Sequence, residues 1–101
     1  MIHSVSFKLK DDLSRADHES FFQAARQLGE IPGVIGLRLL RQTSTKNPFA
    51  FCLSMEFSDE STYESYSCNP LHSNFVRQQW MTKVETFQEA DFEDVNDWAA
   101  A

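Results

Sequence analysis

The strongest constraint on the fold is a nine-residue alternation at positions 49–57, FAFCLSMEF. Every odd position holds a large apolar side chain, and these are Phe49, Phe51, Leu53, Met55 and Phe57. The even positions hold smaller or polar side chains. Because successive side chains of a strand point to opposite faces, the stretch predicts a β-strand with one buried face.

Three further strands and two helical segments are predicted around it. The strands cover residues 2–9, 34–43 and 84–93; His3, Val5, Phe7 and Leu9 share the inner face of the first, and Ile35, Leu37 and Leu39 that of the second. The pattern of the last strand does not decide which face is buried. A helix that starts at Ser14 carries an apolar stripe formed by Phe21, Phe22, Ala25 and Leu28, and GEIPG at 29–33 ends it.

The second helical segment is broken in the middle, at YSCNPLHSNF in positions 66–75. Ser58 or Asp59 can cap a helix that runs to about Cys68, and Asn69 can cap the next one with Pro70 as its first residue. That helix is expected to reach about residue 83. The break sets the phenol of Tyr66 and the imidazole of His72 on either side of one turn.

The resulting order, β-α-β-β-α-β, predicts an α+β fold of the ferredoxin-like type. Its four-stranded antiparallel sheet would carry the helices on one face. We expect one domain over residues 1–95 and a flexible tail over 96–101.

The charge distribution and the dispersed histidines and cysteines exclude several functions. The net charge is −6 and the nine basic residues are scattered, whereas nucleic acid binding needs clustered Lys and Arg. The three histidines show no metal-ligand spacing, so no metal is expected. With only three glycines and no phosphate-binding glycine loop, no nucleotide or other cofactor is expected either. Without a long apolar run or a signal-like start, the chain is expected to be cytoplasmic and not in a membrane. Cys52 and Cys68 are expected to be packed, inert thiols.

Five segments resemble the stress-responsive A/B barrel (Dabb) domain family in their order and spacing. They are HSVSFKLKDD at 3–12, IPGV at 31–34, MEFSDE at 55–60, YESYSCNPLHSNF at 63–75 and ADFED in the last strand. The resemblance implies a homodimer that forms through the open sheet face, a dimeric α+β barrel, with a cavity between each sheet and its helices. It also implies a binding or stress-related role, while one plant polyketide cyclase of the family works without a cofactor. The outward Ser4 and Ser6 would make this dimer face more polar than the family pattern.

The resemblance also assigns candidate site residues. The cyclase's catalytic histidine and tyrosine fall on His72 and Tyr66, and a pocket histidine falls on His3. A second pocket histidine falls on Phe51 and a pocket tyrosine on Ala25, so two polar pocket positions are apolar here. With the inward Phe7, the predicted ligand-binding residues are His3, Phe7, Ala25 and Phe51.

The chemistry of the helix junction supports the same pair independently. His72 lies in the first turn of its helix, where the helix dipole disfavours imidazolium, so a neutral general base is expected. The phenol of Tyr66 can donate a hydrogen bond to a developing oxyanion. The structural alternative is that both side chains simply pack, and that the Phe-rich strand is core.

Three functions stay open at this point. The chain can be a small-ligand binding domain, or a cofactor-independent lyase, cyclase or monooxygenase acting on an apolar carbonyl or phenolic compound. It can also be a structural or assembly protein with a filled core. An open cavity that contains both Tyr66 and His72 would favour the first two.

Overall fold

The computed structural model describes residues 1–100, and its elements follow the predicted order. The four strands are β1 (Ile2–Leu9), β2 (Ile35–Arg41), β3 (Phe51–Glu56) and β4 (Val84–Phe92). The α-helices are α1 (Arg15–Gln27), α2 (Glu60–Cys68), α3 (Pro70–Phe75), α4 (Met81–Lys83) and α5 (Val95–Ala100). A 3₁₀ turn (Leu28–Glu30) follows α1, and a π-helical turn (Val76–Trp80) joins α3 to α4.

The strands form one antiparallel sheet in the order β2-β3-β1-β4. Long α1 and the helices of 60–83 cover one face of the sheet, which confirms the predicted ferredoxin-like α+β architecture. β1 lies in the interior of the sheet, and its buried residues alternate with residues that are partly exposed or, in the case of Ile2, exposed. β4 is an edge strand, and most of its residues are exposed.

Polar side chains fix where the helices begin. Ser14 accepts a hydrogen bond from the backbone N–H of Asp17, whose carboxylate accepts one in return from the Ser14 N–H, a complete capping box. Asp59 caps α2 by accepting from the N–H of Thr62. Both positions agree with the sequence prediction.

Aromatic rings fill the layer between α1 and the sheet. Phe7, which is fully buried, has its ring centroid 5.4 Å from Phe21, 5.7 Å from Phe51 and 5.1 Å from Trp80. The ring of Phe22 meets that of Phe51 edge to face, with 5.0 Å between centroids. Rings at these separations interact favourably beyond the area that they bury, so this half of the interior is closely packed.

The open face of the sheet has small side chains at its centre and larger apolar ones at its margins. Ser4, Ser54 and Ala90 lie side by side in the middle row. The exposed apolar residues of this face are Ile2, Ile35, Leu40 and Phe92.

Ile35 was expected on the inner face, and the structure corrects this. The pairing of β2 with β3 shifts between Ile35 and Arg38, and Gly36 adopts a positive φ of 58°. This irregularity turns Ile35 to the open face, next to Glu56, while Leu37 and Leu39 keep the predicted inward orientation.

Two other expectations concern the surface. Cys68, the last residue of α2, is exposed and therefore is not the packed thiol that was predicted; Cys52 is partly buried. The tail at 96–101 forms most of helix α5 as far as residue 100, and Ala101 lies outside the described residues. A domain boundary at residue 95 and a flexible tail stay predictions.

Paired substitutions of two facing phenylalanines test this account of the core. Phe7 and Phe87 are neighbours on adjacent strands, but Phe7 is 0% and Phe87 50% exposed. We expect Phe7→Ala to lower the free energy of unfolding by about 3–5 kcal/mol. Phe87→Ala should lower it by only about 1 kcal/mol, because the half-exposed Phe87 side chain buries less apolar area on folding. Chemical denaturation at one fixed protein concentration measures both; equal losses would contradict the described packing.

Candidate functional site

A cavity of about 340 Å³ lies between the sheet and the helices of 66–81. We call it the sheet–helix cavity. Its walls are mostly apolar and aromatic, and they are formed by His3, Val5, Leu28, Leu53, Tyr66, His72, Phe75, Val76, Trp80, Met81, Phe87 and Glu89. Met81, Phe87 and Glu89 are exposed, so the cavity opens between β4 and the end of the helical segment. The volume is within the range of small-ligand pockets.

The turn at Asn69 and Pro70 sets the position of His72. Asn69 accepts a hydrogen bond from the N–H of Leu71 at 2.9 Å, and Pro70 is the first helical residue, as predicted. The turn returns the chain toward α2, where Nδ1 of His72 lies 3.1 Å from the carbonyl oxygen of Ser67. A carbonyl only accepts, so Nδ1 carries the proton and donates it to that bond.

This bond determines the chemistry of the His72 ring. With Nδ1 protonated, Nε2 of the neutral imidazole has a free lone pair and can accept a proton. Burial lowers the pKa of His72 from its ordinary value, an effect that the Ser67 hydrogen bond partly opposes. The ring is therefore neutral at neutral pH, as a general base requires.

Tyr66 lies directly beside His72, with 4.7 Å between the ring centroids. Its side chain is 2% exposed and packs against Phe57 at 5.1 Å. Burial raises the pKa of its phenol well above the ordinary value, and the neighbouring Tyr63 and the charge of Glu89 add to the rise. Tyr66 therefore keeps its proton and can act as a hydrogen-bond donor, not as a base.

His3 is the third predicted site residue on the sheet–helix cavity. It is 5% exposed, and its Nδ1 lies 2.6 Å from a carboxylate oxygen of Asp91 on β4. Its ring also packs on Tyr63 at 4.9 Å. His3 is thus both a satisfied core histidine and a part of the cavity wall, two alternatives that the sequence alone had set against each other.

The other predicted ligand-binding residues do not line this cavity. Phe7 and Ala25 are buried in the core beneath α1, and Phe51 lies at the far side of the same aromatic cluster. Phe51 instead lines a second depression near the loop at 42–49. The reason is steric, because the rings of the Phe7 cluster occupy the space that these positions would otherwise border.

Several lining residues were not predicted from the sequence, and they come from β4 and from the π-helical turn. The register of β1 with β4 places Glu89 opposite Val5 and Phe87 opposite Phe7, on the helix side of the sheet. In the π turn, the N–H of Met81 donates to the carbonyl of Val76, five residues earlier. This wider turn brings both side chains to the cavity wall.

Among residues 1–100, no group of three or more His, Cys, Asp or Glu side chains is arranged to hold a metal ion. Over the same residues, every helix is too short or too polar to cross a bilayer.

Known proteins of solved structure match most of the chain. A Dabb family protein from Mesorhizobium loti with a ferredoxin-like fold is 37% identical, with a TM-score of 0.85 over 92% of this chain and 94% of that one. A dimeric ferredoxin-like protein of unknown function from Thermobifida fusca is 16% identical, with a TM-score of 0.79 over 92% and 89%. The hydroxynitrile lyase of Passiflora edulis is 13% identical, with a TM-score of 0.82 over 90% and 89%. No curated protein matches the chain significantly.

The similarities to the Thermobifida fusca and Passiflora edulis proteins concern the fold alone, because their sequence identities are low.

The sequence profile of the family described as "Stress responsive A/B Barrel Domain" (Dabb) matches residues 2–94, nearly the whole chain. Together with the similarity to the Mesorhizobium loti protein, this match identifies the family. The chain belongs to the stress-responsive A/B barrel (Dabb) domain family.

Proposed function

We propose that this protein binds a small, mainly apolar carbonyl or phenolic compound in the sheet–helix cavity and transfers a proton to or from it without a cofactor. The observation that carries the proposal is that Tyr66 and His72 both lie on the wall of one cavity, with 4.7 Å between their ring centroids. One supplies a hydrogen-bond donor that stays protonated, and the other supplies a neutral base.

The proposed step is abstraction of a proton next to a carbonyl group. Nε2 of His72 takes the proton, the electron pair of the broken C–H bond moves into a C=C bond, and negative charge develops on the carbonyl oxygen. A hydrogen bond from the hydroxyl of Tyr66 stabilises that oxygen. The hydrogen bond from Nδ1 to Ser67 holds the ring in the required tautomer throughout.

The same fold allows two alternative functions. A binding domain without chemistry would hold the ligand through the apolar walls, and Tyr66 and His72 would only orient it. A structural protein with a filled core is disfavoured by a cavity volume of about 340 Å³. The hydroxynitrile lyase shows only that the fold occurs in an enzyme, so the decision rests on the site residues themselves.

Hydrogen–deuterium exchange of a simple ketone tests the chemistry without knowledge of the natural substrate. Acetophenone in D₂O exchanges its methyl protons through the enolate, and proton NMR follows the loss of signal. We expect the protein to accelerate exchange, His72→Asn to reduce the acceleration by about 10²-fold or more, and Tyr66→Phe by about 10²-fold.

His18→Asn is the matched control, since His18 lies on α1 outside the cavity wall. It should leave the exchange rate unchanged. If acetophenone binds but is not exchanged faster than in buffer, the protein is a binding domain. Equal acceleration by the wild type and by His72→Asn would rule out His72 as the base.

The pH dependence should report the lowered pKa of His72. Only the neutral ring accepts a proton, so the acceleration should persist as the pH falls through 6.5, the ordinary histidine pKa, and decline only at lower pH. NMR titration of the histidine ring protons, with the His72 signal assigned from its absence in His72→Asn, should give a midpoint below 6.5. A midpoint at or above that value would mean that the ring is not desolvated as described.

We further propose that two copies of the chain associate through the open face of the sheet. Its centre carries small side chains that allow a second sheet to approach closely, and its margins carry Ile2, Ile35, Leu40 and Phe92. Burial of these exposed apolar groups would drive association. The dimeric protein from Thermobifida fusca has the same fold.

A pair of matched substitutions tests the dimer face. Leu40 on the open face and Leu71 on α3 are 38% and 44% exposed. Leu40→Lys should shift the mass measured by light scattering from dimer to monomer at micromolar concentration, because it replaces apolar area that association would bury with a charge that has no partner. Leu71→Lys should remain dimeric. The opposite pattern would place the contact on the helical side.

A further inference from the structure

We propose that the exposed end of the sheet–helix cavity is a binding subsite for a protonated amine, formed by the carboxylate of Glu89 and the rings of Trp80 and Phe87. The ligand class is then a mainly apolar carbonyl or phenolic compound that also carries an ammonium group, which lies at the cavity mouth. The inference rests on the proposed function, since it requires that the cavity binds a ligand.

The geometry brings one carboxylate and two aromatic rings to the same opening. Trp80 and Phe87 meet edge to face with 5.4 Å between centroids, and both line the cavity. Glu89 follows Phe87 on the same face of β4, two residues along the strand. Aromatic faces with a carboxylate nearby attract organic cations through their ring quadrupoles and through direct charge.

In the part of the chain that the structure describes, Glu89 differs from two acidic neighbours on β4 in having no side-chain partner. Glu85 forms an ion pair with Lys8 at 2.9 Å, and Asp91 is hydrogen-bonded to His3 at 2.6 Å. Within residues 1–100, Glu89 takes part in none of the ion pairs. Among the described residues of the cavity wall there is neither a Lys nor an Arg, so a cation from solution has no competitor there.

The charge of Glu89 acts mainly at the cavity mouth. Burial is the main cause of the altered pKa values of Tyr66 and His72, and the Glu89 carboxylate, which raises both, is the smallest of the causes. A second depression, on the side of Asp91, carries Asp59, Glu60, Asp91 and Glu93 together with the amino terminus of Met1, so its acidic groups outnumber its single cation. An anionic ligand would therefore meet repulsion at the entrance, whereas an ammonium would be attracted.

Three probes of one size separate charge from apolar binding. They are 2-phenylethylamine, 2-phenylethanol and phenylacetate, which at neutral pH are cationic, neutral and anionic. The shift of the Trp80 indole N–H signal, distinguished from that of Trp98 by the Trp98→Phe variant, reports occupancy of the cavity. We expect the amine to bind about fivefold more tightly than the alcohol, and phenylacetate to bind most weakly.

Substitution of single carboxylates on β4 completes the test. Glu89→Gln should weaken the amine about fivefold and leave the alcohol unchanged. Glu85→Gln removes the same charge from the same strand outside the cavity wall, and it should leave the affinities of both probes unchanged. Equal affinity of the amine and the alcohol, or an equal loss of both in Glu89→Gln, would overturn the amine subsite while the cavity proposal stands. Absence of binding by all three probes would overturn both proposals.

Discussion

The uneven filling of the layer between sheet and helices determines where this molecule can carry out chemistry. Phe7 contacts rings from α1, β3 and the π-helical turn, and these rings occupy the space beneath α1. Between α3 and β4 the rings of Phe75, Trp80 and Phe87 line the interior without filling it, and the sheet–helix cavity remains there. Close packing on one side and an opening on the other are thus parts of one arrangement.

The break in the second helical segment then supplies the cavity with functional groups. In a continuous helix, Tyr66 and His72 would point in different directions, because two residues six positions apart are separated by about 120° around the helix axis. The turn at Asn69 and Pro70 instead brings His72 back beside Tyr66 and offers the carbonyl of Ser67, near the end of α2, as a partner for Nδ1. One short turn therefore sets the position, the tautomer and part of the desolvation of the base.

Local patterns in the sequence were sufficient to predict the strands, the caps at Ser14 and Asn69, and the pairing of Tyr66 with His72, and they narrowed the remaining cap to Ser58 or Asp59. These features depend on side-chain alternation and on hydrogen bonds within a few residues. The predicted orientation of Ile35 was wrong because the irregular pairing near Gly36 leaves no periodic signal in the sequence.

The rest of the site depends on contacts between distant segments. Glu89 and Asp91 belong to an edge strand without a decisive pattern, and only its register with β1 places them beside the cavity and His3. Phe51 and Ala25 matched pocket positions of the resemblance, yet the size of the surrounding rings excluded them from the wall. Filling of space by the buried phenylalanine rings is a collective property that single positions do not reveal.

The π-helical turn gives this wall an unusual route to variation. Such a turn holds one residue more than the α-helical turn that it replaces, so loss of a single residue within 76–80 would restore regular hydrogen bonding. Because the extra residue is absorbed within the turn itself, the residues that follow would keep their orientation, whereas Val76 and Met81 would lose the wider spacing that places both at the cavity wall. Insertion or deletion of one codon can thus remodel the entrance in a single evolutionary step while the sheet and the His72 junction keep their geometry.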